Sequence, residues 1–172
     1  MRASTPGPSV RYVVMGVSGS GKTVIGSRLA RALDVEFVEG DDYHPPENVA
    51  RMAAGIPLTD ADRAGWLAAI AARIAVAREA GAGLVVSCSA LKQSYRDLLR
   101  TADPELRVVH LSGDRELLAE RLAQRRGHFM PSSLLDSQLA TLEVPSADER
   151  ALVCDVAESP DAIVDTLLSR AT

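Results

Sequence analysis

Residues 16–23 read Gly-Val-Ser-Gly-Ser-Gly-Lys-Thr, and they are the most informative segment of the 172-residue chain. It matches the pattern G-x-x-x-x-G-K-[ST] in full. Glycines in such a segment let the backbone turn tightly, so that successive N–H groups point at phosphate oxygens. Lys22 would supply a mobile positive charge for the β- and γ-phosphates, and the Thr23 hydroxyl is an oxygen ligand suited to Mg²⁺. The residues predicted to bind the phosphates of a nucleotide are Gly16, Ser18, Gly19, Ser20, Gly21, Lys22 and Thr23.

Apolar and helical patterns flank this segment on its two sides. Residues 12–17 form an apolar run typical of a buried strand, and residues 22–33 carry Ile25, Leu29 and Leu33 at helical spacing. A plain Gly/Ser-rich turn ahead of an amphipathic helix is the alternative interpretation. A strand before the segment and a helix after it are the setting that a phosphate-binding loop requires, and they favour that function.

Short apolar runs alternate with longer helical patterns along the rest of the chain. Such alternation, with continuous apolar strands, predicts an α/β fold in which helices cover both faces of a parallel sheet. The predicted strands are residues 12–17, 35–38, 84–88, 106–111 and 152–156. The predicted helices are residues 22–33, 47–54, 60–80, 92–100, 114–126, 132–143 and a final one from Pro160. Residues 1–10 are expected to be a flexible tail, and residues 11–172 a single domain.

The net charge and the apolar content of the chain limit the kinds of molecule that it is expected to bind. The formal net charge is −4, so the overall surface does not favour nucleic acid or an anionic membrane, and no apolar run approaches the length of a membrane span. An anionic substrate would therefore need a local basic pocket. The two cysteines, Cys88 and Cys154, each lie in an apolar run without a CxxC partner, which predicts buried thiols in a reducing, cytoplasmic compartment.

Several separate segments, spread from residue 12 to about residue 156, carry a resemblance to one family. They are MGVSGSGKT at 15–23, GD-x-x-HP at 40–45, NVARMAAGIPLTDADR at 48–63, CSALKQSYRDLL at 88–99, RRGHFMPSSLL at 125–135 and LE-x-P-x-ADE at 142–149. In these segments the chain resembles the gluconate kinases, which are relatives of shikimate and nucleoside-monophosphate kinases.

This resemblance implies a three-layer P-loop kinase fold with a central five-stranded parallel sheet and a short lid at about residues 125–135. It also implies ATP-dependent phosphorylation of D-gluconate to 6-phospho-D-gluconate, with Mg²⁺, by a cytoplasmic homodimer. The chain departs from the family at one point, because Glu39-Gly40-Asp41 stands where Asp-Gly-Asp is usual.

Carboxylates follow the second predicted strand, at the sheet edge where α/β proteins bind ligands. Asp41 could orient Mg²⁺ or accept the proton of the attacking hydroxyl, and resemblance to the related kinases favours Asp41 as the base. Glu39 could face the same side, whereas Asp42 fits a solvated acidic turn. The third strand ends in Ser87-Cys88-Ser89 without the acid that many P-loop ATPases use for Mg²⁺, which favours Asp41 for that charge as well.

Cations that could hold a sugar-acid carboxylate lie on two predicted helices. Lys92 and Arg96 are four residues apart and share a helix face, and Arg51 follows Asp41 on the short second helix. Spacing alone leaves ordinary solvated charge as an equal alternative. The resemblance favours substrate binding by all three.

Two arginines end the fifth predicted helix. By the same resemblance, Arg121 would stack on adenine and Arg125 would reach the transferring phosphoryl group, with residues 127–135 as a lid that excludes water. A helix C-terminus enriched in cations that suit its dipole is the alternative. His44 and His128 could contact the substrate, although a lone histidine is more often a plain polar contact.

Two other functions fit the phosphate loop. A kinase could act on shikimate or a nucleoside monophosphate, but shikimate kinases carry a glycine triplet after the third strand, where this chain has SCSALK at 87–92. A nucleotide-binding regulator without catalysis is the second alternative. The Asn-Lys-x-Asp motif with which GTPase switches read guanine does not occur in the sequence.

Overall fold

A computed structural model describes residues 9–124 and 132–170 of the chain. Most of the tail predicted for residues 1–10 lies outside this range. Val10 is described, and its carbonyl already accepts a hydrogen bond from the N–H of Leu84 at 3.1 Å. The strand β1 itself begins at Arg11, one residue before the predicted start at residue 12.

Five parallel strands form one sheet in the order β2-β3-β1-β4-β5. The strands are β1 Arg11–Met15, β2 Glu36–Glu39, β3 Leu84–Ser87, β4 Arg107–Ser112 and β5 Leu152–Asp155. The register aligns Val13 of β1 with Val86 of β3 and Val108 of β4. Because β1 lies at the centre of the sheet, the glycine-rich segment that follows it emerges at the middle of the carboxyl edge.

Within the described residues, seven α-helices lie between these strands or, in the case of the last helix, after β5. They are α1 Lys22–Leu33, α2 Pro46–Ala53, α3 Asp60–Glu79, α4 Gln93–Ala102, α5 Arg115–Gln124, α6 Ser132–Thr141 and α7 Pro160–Ser169. Each was predicted from the sequence to within a few residues. A capping box explains why α3 begins where the sequence predicted. The Thr59 side chain accepts a hydrogen bond from the N–H of Asp62, and the Asp62 carboxylate accepts one from the N–H of Thr59.

The sheet carries a hydrophobic cluster on each face, as continuous apolar strands require. Along β1, Tyr12 and Val14 belong to one cluster, and Val13 and Met15 belong to the other. The first cluster packs against α1, α5 and α7, and the second packs against α3 and α4. This arrangement confirms the predicted three-layer α/β fold with a five-stranded parallel sheet.

The predicted lid at residues 125–135 falls partly outside the described residues. Residues 125–131 are not covered, and residues 132–135 form the first turn of α6. Leu134 and Leu135 are buried there, and Leu135 belongs to the first hydrophobic cluster. The last four residues of the predicted lid therefore belong to a packed helix, because their two leucines supply apolar area to the core.

The structure also bears on the sequence predictions for the cysteines and for membrane-spanning helices. Cys88 and Cys154 are both free and buried, as predicted. Burial raises the pKa of the Cys88 thiol to about 12. Among the described helices, none has the length and apolar character to cross a membrane.

Candidate active site

The glycine-rich segment forms a tight loop between β1 and α1. Gly19 and Gly21 have positive φ angles of 84° and 90°, a conformation that L side chains rarely adopt. A Cβ atom on Gly19 would also lie 2.7 Å from the carbonyl oxygen of Leu118 on α5. Glycine is required here because the loop backbone passes directly against a neighbouring helix.

Polar groups of this loop suit a bound phosphate. Helix α1 begins at Lys22 with no side-chain cap and no acidic residue in its first turn, so its first N–H groups and its dipole favour an anion. The Ser20 hydroxyl is buried and, within the described part of the chain, has no hydrogen-bond partner. A phosphate oxygen is an acceptor that would satisfy these donors. The donor set therefore fits a nucleotide phosphate group.

Two cavities adjoin the loop. The first, named the Trp66 cavity, has a volume of about 300 Å³ and includes Ser18, Lys22, Asp41, His44, Arg63 and Trp66 in its wall. The second, named the Arg121 cavity, has a volume of about 370 Å³ and a largely apolar wall that includes Val24, Ile25, Arg121, Val156, Pro160 and Ile163. Gly19, Ser20 and Gly21 line the second cavity, so residues of one short loop border both.

The segment Glu39–Asp41 is held rigidly where β2 ends. A Cβ atom on Gly40 would lie 2.0 Å from the carbonyl oxygen of Ser87 on β3, so only glycine fits between the two acids. The Trp66 indole N–H donates to the Gly40 carbonyl at 2.8 Å. This contact fixes the backbone from which both acidic side chains project.

These two acids have different surroundings. The Thr23 hydroxyl donates to Glu39, and the Ser87 hydroxyl donates to the other oxygen of the same carboxylate at 2.6 Å. Asp41 is exposed in the wall of the Trp66 cavity. The sequence assigned both the metal and the base to Asp41, whereas the structure brings Glu39 to the predicted metal ligand Thr23.

His44 stacks on Trp66 in the wall of the Trp66 cavity. The ring centroids are 4.0 Å apart with an interplanar angle of 15°, and the Asn48 amide lies 3.2 Å from Nδ1 of His44. Burial lowers the pKa of His44; nearby Asp41 raises it, and Arg63 lowers it further. His44 is therefore mainly neutral at neutral pH and acts as a polar contact rather than a cation.

Arg63 is a residue of the Trp66 cavity that sequence reasoning did not assign to the site. Its guanidinium donates to the Tyr95 hydroxyl at 3.0 Å and lies 5.7 Å from the centroid of that ring. The Tyr95 hydroxyl in turn donates to Asp60, which also accepts from Lys92 at 2.9 Å. Lys92 is thus paired with Asp60 and does not line the cavity.

Arg96, which the sequence predicted to bind the substrate, is buried in the core. The residue is 1% exposed, and its guanidinium donates to both carboxylate oxygens of Glu149 at 2.7 and 3.1 Å. It also donates to the carbonyl oxygens of Ala90, Leu91 and Glu143 at 2.9, 3.2 and 2.9 Å. All five guanidinium donors are used within the chain, which gives Arg96 a structural role and leaves no donor for a substrate in this arrangement.

The other predicted site residues differ in whether they line one of the two cavities. Arg51 is exposed, forms an ion pair with Asp62 and does not line the Trp66 cavity. Arg121 does line the cavity named after it. Arg125 and His128 lie outside the described residues.

Gln138 of α6 is a second residue that the sequence did not reveal. Its Oε1 atom accepts a hydrogen bond from the N–H of Ser18 in the phosphate loop at 2.7 Å, and the residue lines the Trp66 cavity. The contact joins positions 120 residues apart. A single sequence carries no local signal for it, since Gln138 lies in an ordinary polar stretch of a helix.

Comparisons with known proteins agree with this geometry. A family described as an AAA domain matches residues 12–145. The gluconokinase of Gluconobacter oxydans (strain 621H) is 51% identical over 156 residues, which cover 91% of this chain and 88% of that protein. A gluconokinase structure from Sinorhizobium meliloti 1021 has a TM-score of 0.83 and 52% identity, covering 94% of this chain and 90% of the other. An unliganded sugar kinase from Janibacter sp. HTCC2649 has a TM-score of 0.89 and 46% identity, covering 94% of each chain.

Proposed function

The chain belongs to the gluconokinase family, and we propose that it is an enzyme that transfers the γ-phosphoryl group of ATP to D-gluconate, giving 6-phospho-D-gluconate. The observation that carries this proposal is the pair of cavities beside one phosphate loop. A nucleotide base in the Arg121 cavity and an acceptor in the Trp66 cavity would meet at the loop. Such proximity is the main requirement of phosphoryl transfer, in which positioning and charge stabilisation supply most of the catalysis.

Residues of the Trp66 cavity would carry the chemical step. Lys22 would neutralise charge on the β- and γ-phosphates, and Asp41 would accept the proton of the 6-hydroxyl. The hydroxyl oxygen then bonds to the γ-phosphorus as the bond between that phosphorus and the β–γ bridging oxygen breaks. ADP leaves with that electron pair, and the proton remains on Asp41 until it passes to water.

Magnesium is part of the proposal because the loop supplies a suitable oxygen. Thr23 would bind the ion directly, and Glu39, which accepts the Thr23 hydrogen bond, would hold that hydroxyl in place or contact water bound to the ion. Asp41 remains a second candidate for this charge. When bound, Mg²⁺ neutralises phosphate charge, and one or two protein oxygens are enough because the phosphates supply the rest.

The remaining roles follow from the family. Arg121 would stack on adenine, which agrees with its place in a largely apolar cavity. Arg125 would contact the transferring phosphoryl group, and His44 and His128 would contact the acceptor. A homodimer and a cytoplasmic location are proposed on the family resemblance alone, and light scattering of the purified protein tests the first.

Acceptor-dependent turnover tests the proposed function. ADP release from MgATP should depend on gluconate, and ³¹P spectra should show a phosphomonoester at the 6-position. Lys22→Ala should abolish this turnover, with an unchanged circular dichroism spectrum as the control for folding. ADP release that gluconate does not increase, from folded protein that binds MgATP, would refute the proposal.

A further inference from the structure

We propose that Arg63 binds the carboxylate of the acceptor and that its positive charge makes the enzyme prefer a sugar acid over a neutral sugar derivative. This inference rests on the proposed function, because it concerns the substrate of the same site. It replaces Arg96, which the structure shows to be fully bonded within the core. Arg63 lines the Trp66 cavity beside His44 and Trp66.

The other positively charged side chains near the site either form ion pairs or belong to the phosphate loop. Lys22 and Arg63 are the lysine and arginine that line the Trp66 cavity, and Lys22 belongs to the phosphate loop. Lys92 pairs with Asp60, and Arg51 pairs with Asp62. Arg63 forms no salt bridge within the described part of the chain, so a substrate carboxylate would give it one.

Charge in the cavity also orients the acceptor. Asp41 and Asp42 lie in the same wall and would repel a carboxylate, whereas His44 is mainly neutral at neutral pH. A sugar acid would therefore place its carboxylate against Arg63 and its far hydroxyl near Asp41 and the phosphate loop. This is the orientation that transfer to the terminal hydroxyl needs.

Neighbouring residues hold Arg63 in position before a substrate arrives. Its backbone N–H donates to the Thr59 carbonyl at 3.2 Å in the first turn of α3, and its guanidinium donates to the Tyr95 hydroxyl at 3.0 Å. That bond uses one of five guanidinium donors and leaves enough for a two-pronged contact with a carboxylate. The surrounding wall includes apolar Pro57, Leu58 and Trp66, which strengthens a charged hydrogen bond by excluding water.

Two acceptors that differ only in charge test this inference. D-Gluconate and D-gluconamide should be compared by kcat/KM in the wild type and in Arg63→Gln. We expect the variant to lose about 10- to 100-fold in kcat/KM for gluconate, the range of one charged hydrogen-bond pair. Turnover of gluconamide and the KM for ATP should change by less than about 3-fold, because an amide makes no ion pair with Arg63.

Matched variants separate this role from a structural one. Arg63→Lys should recover part of the preference for gluconate, since it restores the charge but not the planar fork. Arg73→Gln removes an arginine of the same helix that pairs with Glu36, and it should leave the preference unchanged. Equal losses with both acceptors in Arg63→Gln would show a structural role and overturn the inference. Loss of the preference in Arg51→Gln instead would also overturn it.

The same measurements distinguish this inference from the proposed function. If the wild type does not phosphorylate gluconate at all, the proposed function fails. If the wild type is active and Arg63→Gln keeps its preference for gluconate over gluconamide, only the assignment of Arg63 fails.

Discussion

The Thr23 hydroxyl donates a hydrogen bond to the Glu39 carboxylate, which joins the end of the phosphate loop to the end of β2. The Ser87 hydroxyl donates to the second oxygen of Glu39, so the carboxylate is held between two strands and the loop. The longer glutamate side chain thus reaches the threonine that would bind Mg²⁺. Asp41, two residues later, is left to face the Trp66 cavity.

Replacing Glu39 with glutamine should weaken the use of Mg²⁺. The amide can still accept from Thr23, but it removes the negative charge beside the metal ligand. We expect the Mg²⁺ concentration for half-maximal rate to rise about 10-fold, the lower end of effects seen for residues that orient metal ligands. A titration of rate against Mg²⁺ at saturating ATP and gluconate measures this. Ser87→Ala, which keeps the charge of Glu39, is the control and should shift the titration much less.

Asp41→Asn should impair the chemical step rather than binding. Asparagine cannot accept the hydroxyl proton, so kcat should fall by about 10²- to 10⁴-fold, while the KM for gluconate changes by less than about 3-fold. Steady-state kinetics at saturating Mg²⁺ check both constants. Asp42→Asn, at the neighbouring exposed acid, should reduce kcat by less than about 10-fold. An equal loss in kcat and in gluconate affinity for Asp41→Asn would contradict the role as base.

Features of the fold that depend on nearby residues could be predicted from the sequence. The phosphate loop, the strand before it and the helix after it are encoded within residues 11–33. The Thr59 cap likewise depends on Asp62, three residues away. Short-range chemistry of this kind leaves a pattern in one sequence because the interacting positions have a fixed spacing.

The sequence could not show in the same way which arginine lines the Trp66 cavity and which is buried in the core. Arg96 and Lys92 have the spacing of a helix face, but the partner that buries Arg96 is Glu149, 53 residues further along the chain. Arg63 comes to the cavity because α3 packs against α4 and positions it beside Tyr95. A sequence shows which residues are positively charged but not which of them form ion pairs with acidic residues of the same chain. These ion pairs determine which positively charged side chain is left to bind a substrate.

The ion pair of Arg96 and Glu149 should control stability in acid. Burial alone would raise the pKa of Glu149, but hydrogen bonds from Arg96, Arg100 and the Ser146 N–H lower it from 4.5 to about 2. Because the pKa of the folded state lies below that of the unfolded state, the stabilisation is complete above about pH 4.5. It is lost as pH falls toward 2, where the folded state also becomes protonated.

Glu149→Gln should therefore lower the free energy of unfolding at pH 7 by about 3 kcal/mol, because Arg96 would lose its buried counter-charge. The variant should also lose the part of the pH dependence between pH 4.5 and 2 that Glu149 supplies. Urea unfolding at pH 7, 4 and 3 measures both effects. Asp97→Asn removes the exposed partner of Arg100 and should cost less than about 1 kcal/mol at pH 7. Equal unfolding free energies for Glu149→Gln and the wild type would contradict this account.

Gln138 links α6 to the phosphate loop through a hydrogen bond from the N–H of Ser18. A negative charge at position 138 should therefore weaken the binding of ATP. Glutamate at this position could still accept from Ser18, but it would place a negative charge beside the triphosphate. We expect Gln138→Glu to raise the KM for ATP by about 10-fold at low salt, as like charges repel strongly in a partly buried site. The effect should shrink at 0.5 M salt, because ions screen the repulsion.

Two controls make the Gln138 result specific. Gln93→Glu adds the same charge at an exposed position on α4 and should leave the KM for ATP unchanged. Gln138→Leu removes the acceptor without adding charge, so any increase in its KM for ATP should not depend on salt. If Gln138→Glu and Gln93→Glu gave the same KM for ATP at low salt, Gln138 would not lie close enough to the bound phosphates to influence them. The Ser18 contact would then serve only to hold α6 against the loop.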